Sequence, residues 1–184
     1  DKRLPLVSFR LAFPVGDAND ANDAIGQTPA LVSMLNEGTL SRTSKQLAEE
    51  IERLGARLSA NSNSDSIVVS ASTLSFYSSD ILNLMAEIVL KPAFPESELN
   101  LYKRNTIENL KFQRSQPGFL ADEQVFRILY GEHPYRTASP KAADIEKIRR
   151  ENLIDLHAKI FIPSIATLII VGDVEREDIL EQIK

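Results

Sequence analysis

Two stretches in which apolar and polar side chains alternate constrain this chain more than any other feature. Leu6–Phe13 places Val7, Phe9, Leu11 and Phe13 on one side of an extended backbone, and further along Ile67, Val69 and Ala71 alternate with Val68, Ser70 and Ser72. A period of two over such lengths is the mark of a strand buried on one side only. A sheet made of these strands has an apolar face that must be covered and a polar face that stays wet. Stretches with helical spacing supply the cover. Leu47, Ile51 and Leu54 form one stripe, opened by a capping box at Thr43 and Gln46 and stopped by Gly55. Ile81, Leu84, Met85, Ile88 and Val89 form a second between 77 and 90. The expected class is therefore α+β: a mostly antiparallel, twisted β-sheet with helices packed on one face. The wet face suits either a solvated surface or the wall of a water-filled chamber.

The remaining elements follow from local signals. Residues 57–62 and 66–73 read as a hairpin about the turn Asn63-Ser64-Asp65. Pro14 ends the first strand, and the small polar run 17–23 is a loop. A helix is expected over 24–36, but Pro29 lies inside it, and an interior proline costs about 3 kcal/mol. A start delayed to Thr28 as N-cap turns Pro29 into a first-turn residue and removes most of that cost, with Gly38 as the stop. A long helix is expected over 96–115. Gln116-Pro117-Gly118 separates it from another over 119–130, with Val125, Phe126 and Leu129 turned inward. A further helix covers 151–161, the apolar run 167–171 reads as an inner strand, and a last helix begins at 175.

Composition removes several functional classes. The formal net charge is −5 and the longest basic run is the pair Arg149-Arg150, which gives no nucleic-acid footprint. With no cysteine there is no disulfide, thiol nucleophile or cysteine metal site, and the compartment stays open. No apolar run approaches the roughly 20 residues of a membrane span. No signal peptide is visible at the start. A length of 184 residues suits a single domain over 1–184.

The stretch Gly26-Gln-Thr-Pro-Ala-Leu-Val-Ser-Met-Leu-Asn-Glu-Gly-Thr39 resembles the first helix of the zinc peptidases that include pitrilysin, insulin-degrading enzyme and the mitochondrial processing peptidases. Active members read Gly-x-Ala-His-x-Leu-Glu-His-Met-x-Phe-x-Gly-Thr, and Gly26, Leu31, Met34, Gly38 and Thr39 match at the same spacing. Later phrases match in order: Leu54-Gly55-Ala56, Pro92-Ala93-Phe94, His133-Pro134-Tyr135 and Leu168 with Gly172-Asp173. The chemistry departs. In the family, two histidines one helical turn apart hold zinc and the intervening glutamate takes a proton from the metal-bound water. Here Pro29 and Ser33 stand at the histidine positions and Val32 at the glutamate. Proline offers no electron pair, serine is a poor zinc ligand, and valine moves no proton. The third ligand, a glutamate on a later helix, falls at Asn109 when counted back from Pro117; a shift of one residue places it at Glu108, which alone makes no zinc cage. The two histidines, His133 before Pro134 and His157 on the helix over 151–161, read as structural hydrogen-bonding residues.

The resemblance implies a peptidase-family domain without its catalytic centre, with no cofactor of its own and zinc only in an active partner. Family members carry another strand before such a segment and a similar half after it, which makes this chain a truncated piece. The expected partners are an active zinc-peptidase homologue or the second half of the same chain, together with unfolded peptide. Two alternatives stand beside it: a structural assembly subunit, like the inactive core subunits of respiratory complexes, and an active metallopeptidase with displaced ligands.

Overall fold

The computed structural model describes residues 4–183. The chain runs β1 (Leu6–Phe13), α1 (Gln27–Met34), α2 (Ser44–Arg53), β2 (Arg57–Ser62), β3 (Ile67–Leu74), α3 (Ser78–Leu90), α4 (Glu96–Arg114), α5 (Pro117–Tyr130), α6 (Ala142–Lys147), α7 (Arg150–Ile160), β4 (Thr167–Gly172) and α8 (Arg176–Ile183). The four strands form an antiparallel sheet in the order β2-β3-β1-β4. The fold is α+β, as the alternating strands require.

Register explains the two faces. Phe9 pairs with Ala71 and Ile170, Leu11 with Val69 and Leu168, and Phe13 with Ile67. These rows turn toward the helices, and Phe9, Val69 and Ile67 lose all solvent contact. The intervening rows, Ser72–Ser8 and Ser70–Arg10, continue into Arg57 and Ser59 of β2 and remain open. In α3 the five residues of the helical stripe, Ile81, Leu84, Met85, Ile88 and Val89, are all buried. The α2 capping box forms as its spacing predicts, with Thr43 Oγ1 accepting from Gln46 N–H and the Gln46 side chain accepting from Thr43 N–H.

The centre of the core is α1. Thr28, Ala30, Leu31, Val32 and Met34 are all buried, so this helix is covered on most of its circumference. It packs on β2, α4 and α7.

Three expectations are corrected. Val125, Phe126 and Leu129 of α5 do not face the core; they are 48%, 38% and 69% exposed, and α5 buries no residue. An apolar stripe shows that a helix has a side to bury and says nothing of whether this chain supplies the cover. Among the described residues the run 167–171 is not an inner strand. Among the described residues β4 lies at the sheet edge, with Ile169 and Val171 exposed on the open face. Length and apolarity alone do not separate the two cases. Gly38 is not the stop of α1, which ends at Met34; it takes a left-handed φ of 118° and bridges to Thr43. The short helix α6 carries no sequence signal strong enough to expect it.

Candidate functional site

The N-terminus of α1 is where loops from distant parts of the chain meet. Pro29 is the third residue of the helix, so its missing N–H falls among first-turn donors that have no intrahelical acceptor, and the delayed start holds. Thr28 is not the N-cap. Gly26 occupies that place at φ 91°, a left-handed conformation that glycine adopts freely. A side chain there would also crowd Ile145 and Pro140, whose atoms lie 3.0 and 3.2 Å from an ideal Cβ. Glycine has no side chain with which to cap, and Asp20 does the work from the preceding loop. Its carboxylate accepts from Gly26 N–H at 2.8 Å, from Thr28 N–H at 3.2 Å and from Thr28 Oγ1 at 2.6 Å. Backbone donors at a helix start favour an anion in this position.

Beside this cap lies a cleft of about 400 Å³. Asp17, Asp20, Gly26 and Pro29 form one wall, Ser64 and Asp65 of the β2–β3 turn another, and Phe126, Tyr130 and Tyr135 a third. The aromatic wall is continuous: Phe126 and Tyr130 ring centroids are 5.9 Å apart, and Tyr130 meets Tyr135 edge to face at 5.5 Å. The Tyr135 hydroxyl donates to Asp65. None of the side chains lining the cleft is cationic.

The electrostatics follow from that composition. Burial pushes the Asp17 carboxyl above its ordinary value; a hydrogen bond from Ser62 offsets part of this, and the charge of Asp20 adds to the rise. Burial also raises Asp20, in spite of the hydrogen bonds from Thr28 and its neighbours. On α4, the Tyr102 phenol is raised by burial first and, after partial relief from Thr106, by the same two aspartates. Asp17 Oδ1 is buried without a hydrogen-bond partner. The cleft is a negative, partly desolvated concavity.

The residues singled out in the sequence lie around it without converging. Pro29 lines the cleft, Val32 is buried, and Ser33 is exposed on the helix surface. On α4, Asn109 is exposed and Glu108 pairs with Lys111 at 2.7 Å in open solvent. His133 is extended before Pro134, and its Nδ1 accepts from Tyr135 N–H at 3.3 Å. His157 is half-buried; its Nε2 meets the Val89 carbonyl at 2.7 Å and its ring stacks on Phe161 at 4.8 Å. Both histidines hold structural bonds of the kind their sequence positions predict. Among the described residues, no three His, Asp or Glu side chains gather closely enough to hold a metal ion. Asp17, Asp20, Asp65, Tyr130 and Tyr135 carry no sequence signal as a site, because they come from separate segments that only the fold brings together.

The profile of insulinase, peptidase family M16, matches residues 2–139. The chain belongs to this family. The inactive domain of an M16 peptidase from Pseudomonas fluorescens, known from its crystal structure, is 33% identical; the match has a TM-score of 0.92 and covers 99% of this chain and 45% of that one. An uncharacterised zinc protease of Rickettsia bellii is 24% identical over 96% of this chain and 43% of its own length. A non-peptidase homologue from Helicobacter pylori is 22% identical over 98% of this chain and 42% of its own length. The chain therefore spans less than half the length of the relatives it matches. The M16 family is zinc-dependent, and a zinc ion fits poorly on the exposed side of α1. Pro29 has no donor atom, Val32 points into the core, and Ser33 offers one hydroxyl.

Proposed function

We propose that this M16 domain is non-catalytic and serves as one half of a peptide-enclosing clamshell, opposite an active zinc-bearing homologue or a second half of the same protein. The observation that carries the reading is the loss of all three first-helix functions together. Pro29 and Ser33 replace the histidines and Val32 the glutamate base, while Asn109, the position assigned to the third ligand, is an exposed amide. The likeness to a domain described as inactive and to a non-peptidase homologue supports the same direction. The open polar face of the sheet and the cleft beside α1 give an extended chain polar surface to lie against. The far edge of β2 pairs with no strand among the described residues and offers backbone donors and acceptors to an added strand.

The test has two arms. Binding of a labelled, unfolded peptide to the purified chain is measured by fluorescence anisotropy, and metal content is measured after dialysis. The expected result is saturable peptide binding with zinc well below one per chain. Stoichiometric, tightly held zinc overturns the non-catalytic reading. Pull-down from the native source is expected to bring an active M16 homologue, unless the second half lies in the same chain.

A second reading, an assembly subunit, is favoured by the exposed apolar stripe of α5. Val125, Ile128 and Leu129 share one helix side at 48%, 78% and 69% exposure. Stable association without any peptide binding supports that reading against the first.

A further inference from the structure

We infer that the open face of the sheet docks an amphipathic helix of a separate folded domain, one whose apolar stripe is flanked by carboxylates. The inference stands apart from the peptide-enclosing reading, since the occupant is a folded partner and not a substrate.

Large apolar side chains collect at one corner of this face. Leu6 pairs directly with Leu74, Val171 lies diagonal to Leu6 on β4, and Ile169 follows Val171 on the same side of that strand. All four are between 46% and 65% exposed. Direct and diagonal neighbours on one face lie within about 8 Å of each other, so the four form one patch. A contiguous exposed patch of this kind marks a contact surface.

The charge beside the patch has one sign. Among the outward positions of the four strands, Arg10 and Arg57 are the only charged residues. Arg10 sits next to Ile169, and Arg57 stands at the β2 end of the row that runs through Ser72 and Ser8 to Val171. Neither guanidinium has an ion pair among the described residues. A neutral partner strips water from both and returns nothing, which is costly, whereas a carboxylate meets a guanidinium with two parallel hydrogen bonds. A second copy docked face to face brings the same arginines and adds repulsion. Nucleic acid makes no use of the apolar corner and is repelled by a chain of net charge −5.

Shape selects a helix. From β2 to β4 the face spans three strand spacings, about 14 Å. An α-helix with its side chains is about 10–12 Å across. Ser8, Ser70 and Ser72 keep the middle of the face low, while Arg57 on one margin and Val171 and Ile169 on the other stand above it. One helix fills this shallow trough, with its apolar stripe on the Leu6–Val171 corner and its carboxylates toward Arg10 and Arg57. The clefts beside α1, α2 and α5 draw no residue from this face, so a small ligand finds no enclosure on it.

The test uses the 184-residue chain and a labelled, stapled helical peptide of about six turns, with a leucine stripe flanked by glutamates. Its control carries glutamine in place of each glutamate. Anisotropy titrations are expected to give roughly ten-fold tighter binding for the glutamate peptide at low salt, with the advantage shrinking as salt rises. Arg10→Gln with Arg57→Gln is expected to bring the two peptides within about two-fold of each other and leave the glutamine peptide's affinity unchanged. Leu6→Ser with Val171→Ser is expected to weaken both peptides by about five-fold or more and keep their ratio. All four positions are exposed, and circular dichroism checks that the variants fold. Equal affinity for the two peptides, no binding of either, or discrimination intact in the double arginine variant overturns the inference. Binding of an unfolded peptide is expected to survive the double arginine variant. If it is lost there, the face belongs to the peptide-enclosing surface, and this inference falls while that reading stands. Flotation with phosphatidylglycerol vesicles that depends on the same four residues, without discrimination between the helical peptides, assigns the face to a membrane and also overturns it.

Discussion

The carboxylate of Asp20 makes the sharpest quantitative prediction. It caps a helix from six residues before that helix's N-cap, and the helix it caps is the core of the domain. Asp20→Ala removes three bonds at 2.6–3.2 Å: those from Gly26 N–H, Thr28 N–H and Thr28 Oγ1. Loss of a capping side chain alone costs about 0.5–2 kcal/mol. Thr28 is only 1% exposed, so water does not reach its stranded donors, and an unsatisfied buried group adds about 1–3 kcal/mol. Against this, deletion relieves the burial that raises the Asp20 carboxyl. The balance is a destabilisation of about 2 kcal/mol, or about 4–8 °C in Tm for a chain of this size. Urea unfolding followed by circular dichroism measures it. Asp20→Asn keeps an acceptor for Thr28 and is expected to lose less than half as much. In a double-mutant cycle with Thr28→Val the losses are expected to be sub-additive by about 1 kcal/mol, since both variants remove the same bond. A loss below about 0.5 kcal/mol for Asp20→Ala, or full additivity with Thr28→Val, refutes the capping argument.

Pro29→Ala is expected to leave stability within about 0.5 kcal/mol of the parent, because a first-turn N–H has no intrahelical acceptor; a larger change in the urea midpoint places Pro29 differently. Gly172→Ala is expected to lose several kcal/mol or fail to fold, since φ is 143° and an ideal Cβ lies 2.1 Å from the Leu6 carbonyl oxygen; soluble yield and Tm decide it. Raised and lowered carboxyls act in opposite senses with pH. Burial pushes Glu87 upward, but bonds from Ser41 and Thr39 and the charge of Arg42 outweigh it and leave the carboxyl below its ordinary 4.5. Its contribution is present above pH 4.5 and fades as pH falls through the lowered value, so Glu87→Gln flattens the acid limb of the stability curve. Asp17 is raised above 3.8, so it weakens the fold as pH rises through its shifted value; Asp17→Asn is expected to raise Tm at neutral pH and leave it unchanged near pH 3. Restoring the motif with Pro29→His, Val32→Glu and Ser33→His is expected to give no peptidase activity, because Asn109, at the position assigned to the third ligand, has no carboxylate to complete the metal site; cleavage of an unfolded peptide by the triple variant sinks the assignment of Asn109.

Legibility in the sequence tracked the range of the interactions involved. The α2 cap joins Thr43 to Gln46, three residues apart, and is plain from spacing alone. The buried stripe of α3 repeats with the helix and appears as expected, as does the alternation of β3. The α1 cap spans Asp20 to Thr28, and no local rule points from the loop aspartate to the helix. The stripe of α5 was legible as a stripe, while its direction was not, because facing the core requires a neighbour that the helix itself does not encode.

Taken alone, the sequence determined that this chain pairs one-sided strands under helices and that its first helix carries no trio of metal donors, since period and side-chain chemistry are properties of the residues themselves. Tertiary structure alone decided the cleft. Tyr135 meets Asp65 across seventy positions, and the α1 cap, the β2–β3 turn and α5 border one cavity. The physical reason is that an uncompensated charge is defined by what lies within a few ångströms of it, and the folded chain, not the order of its residues, sets that distance.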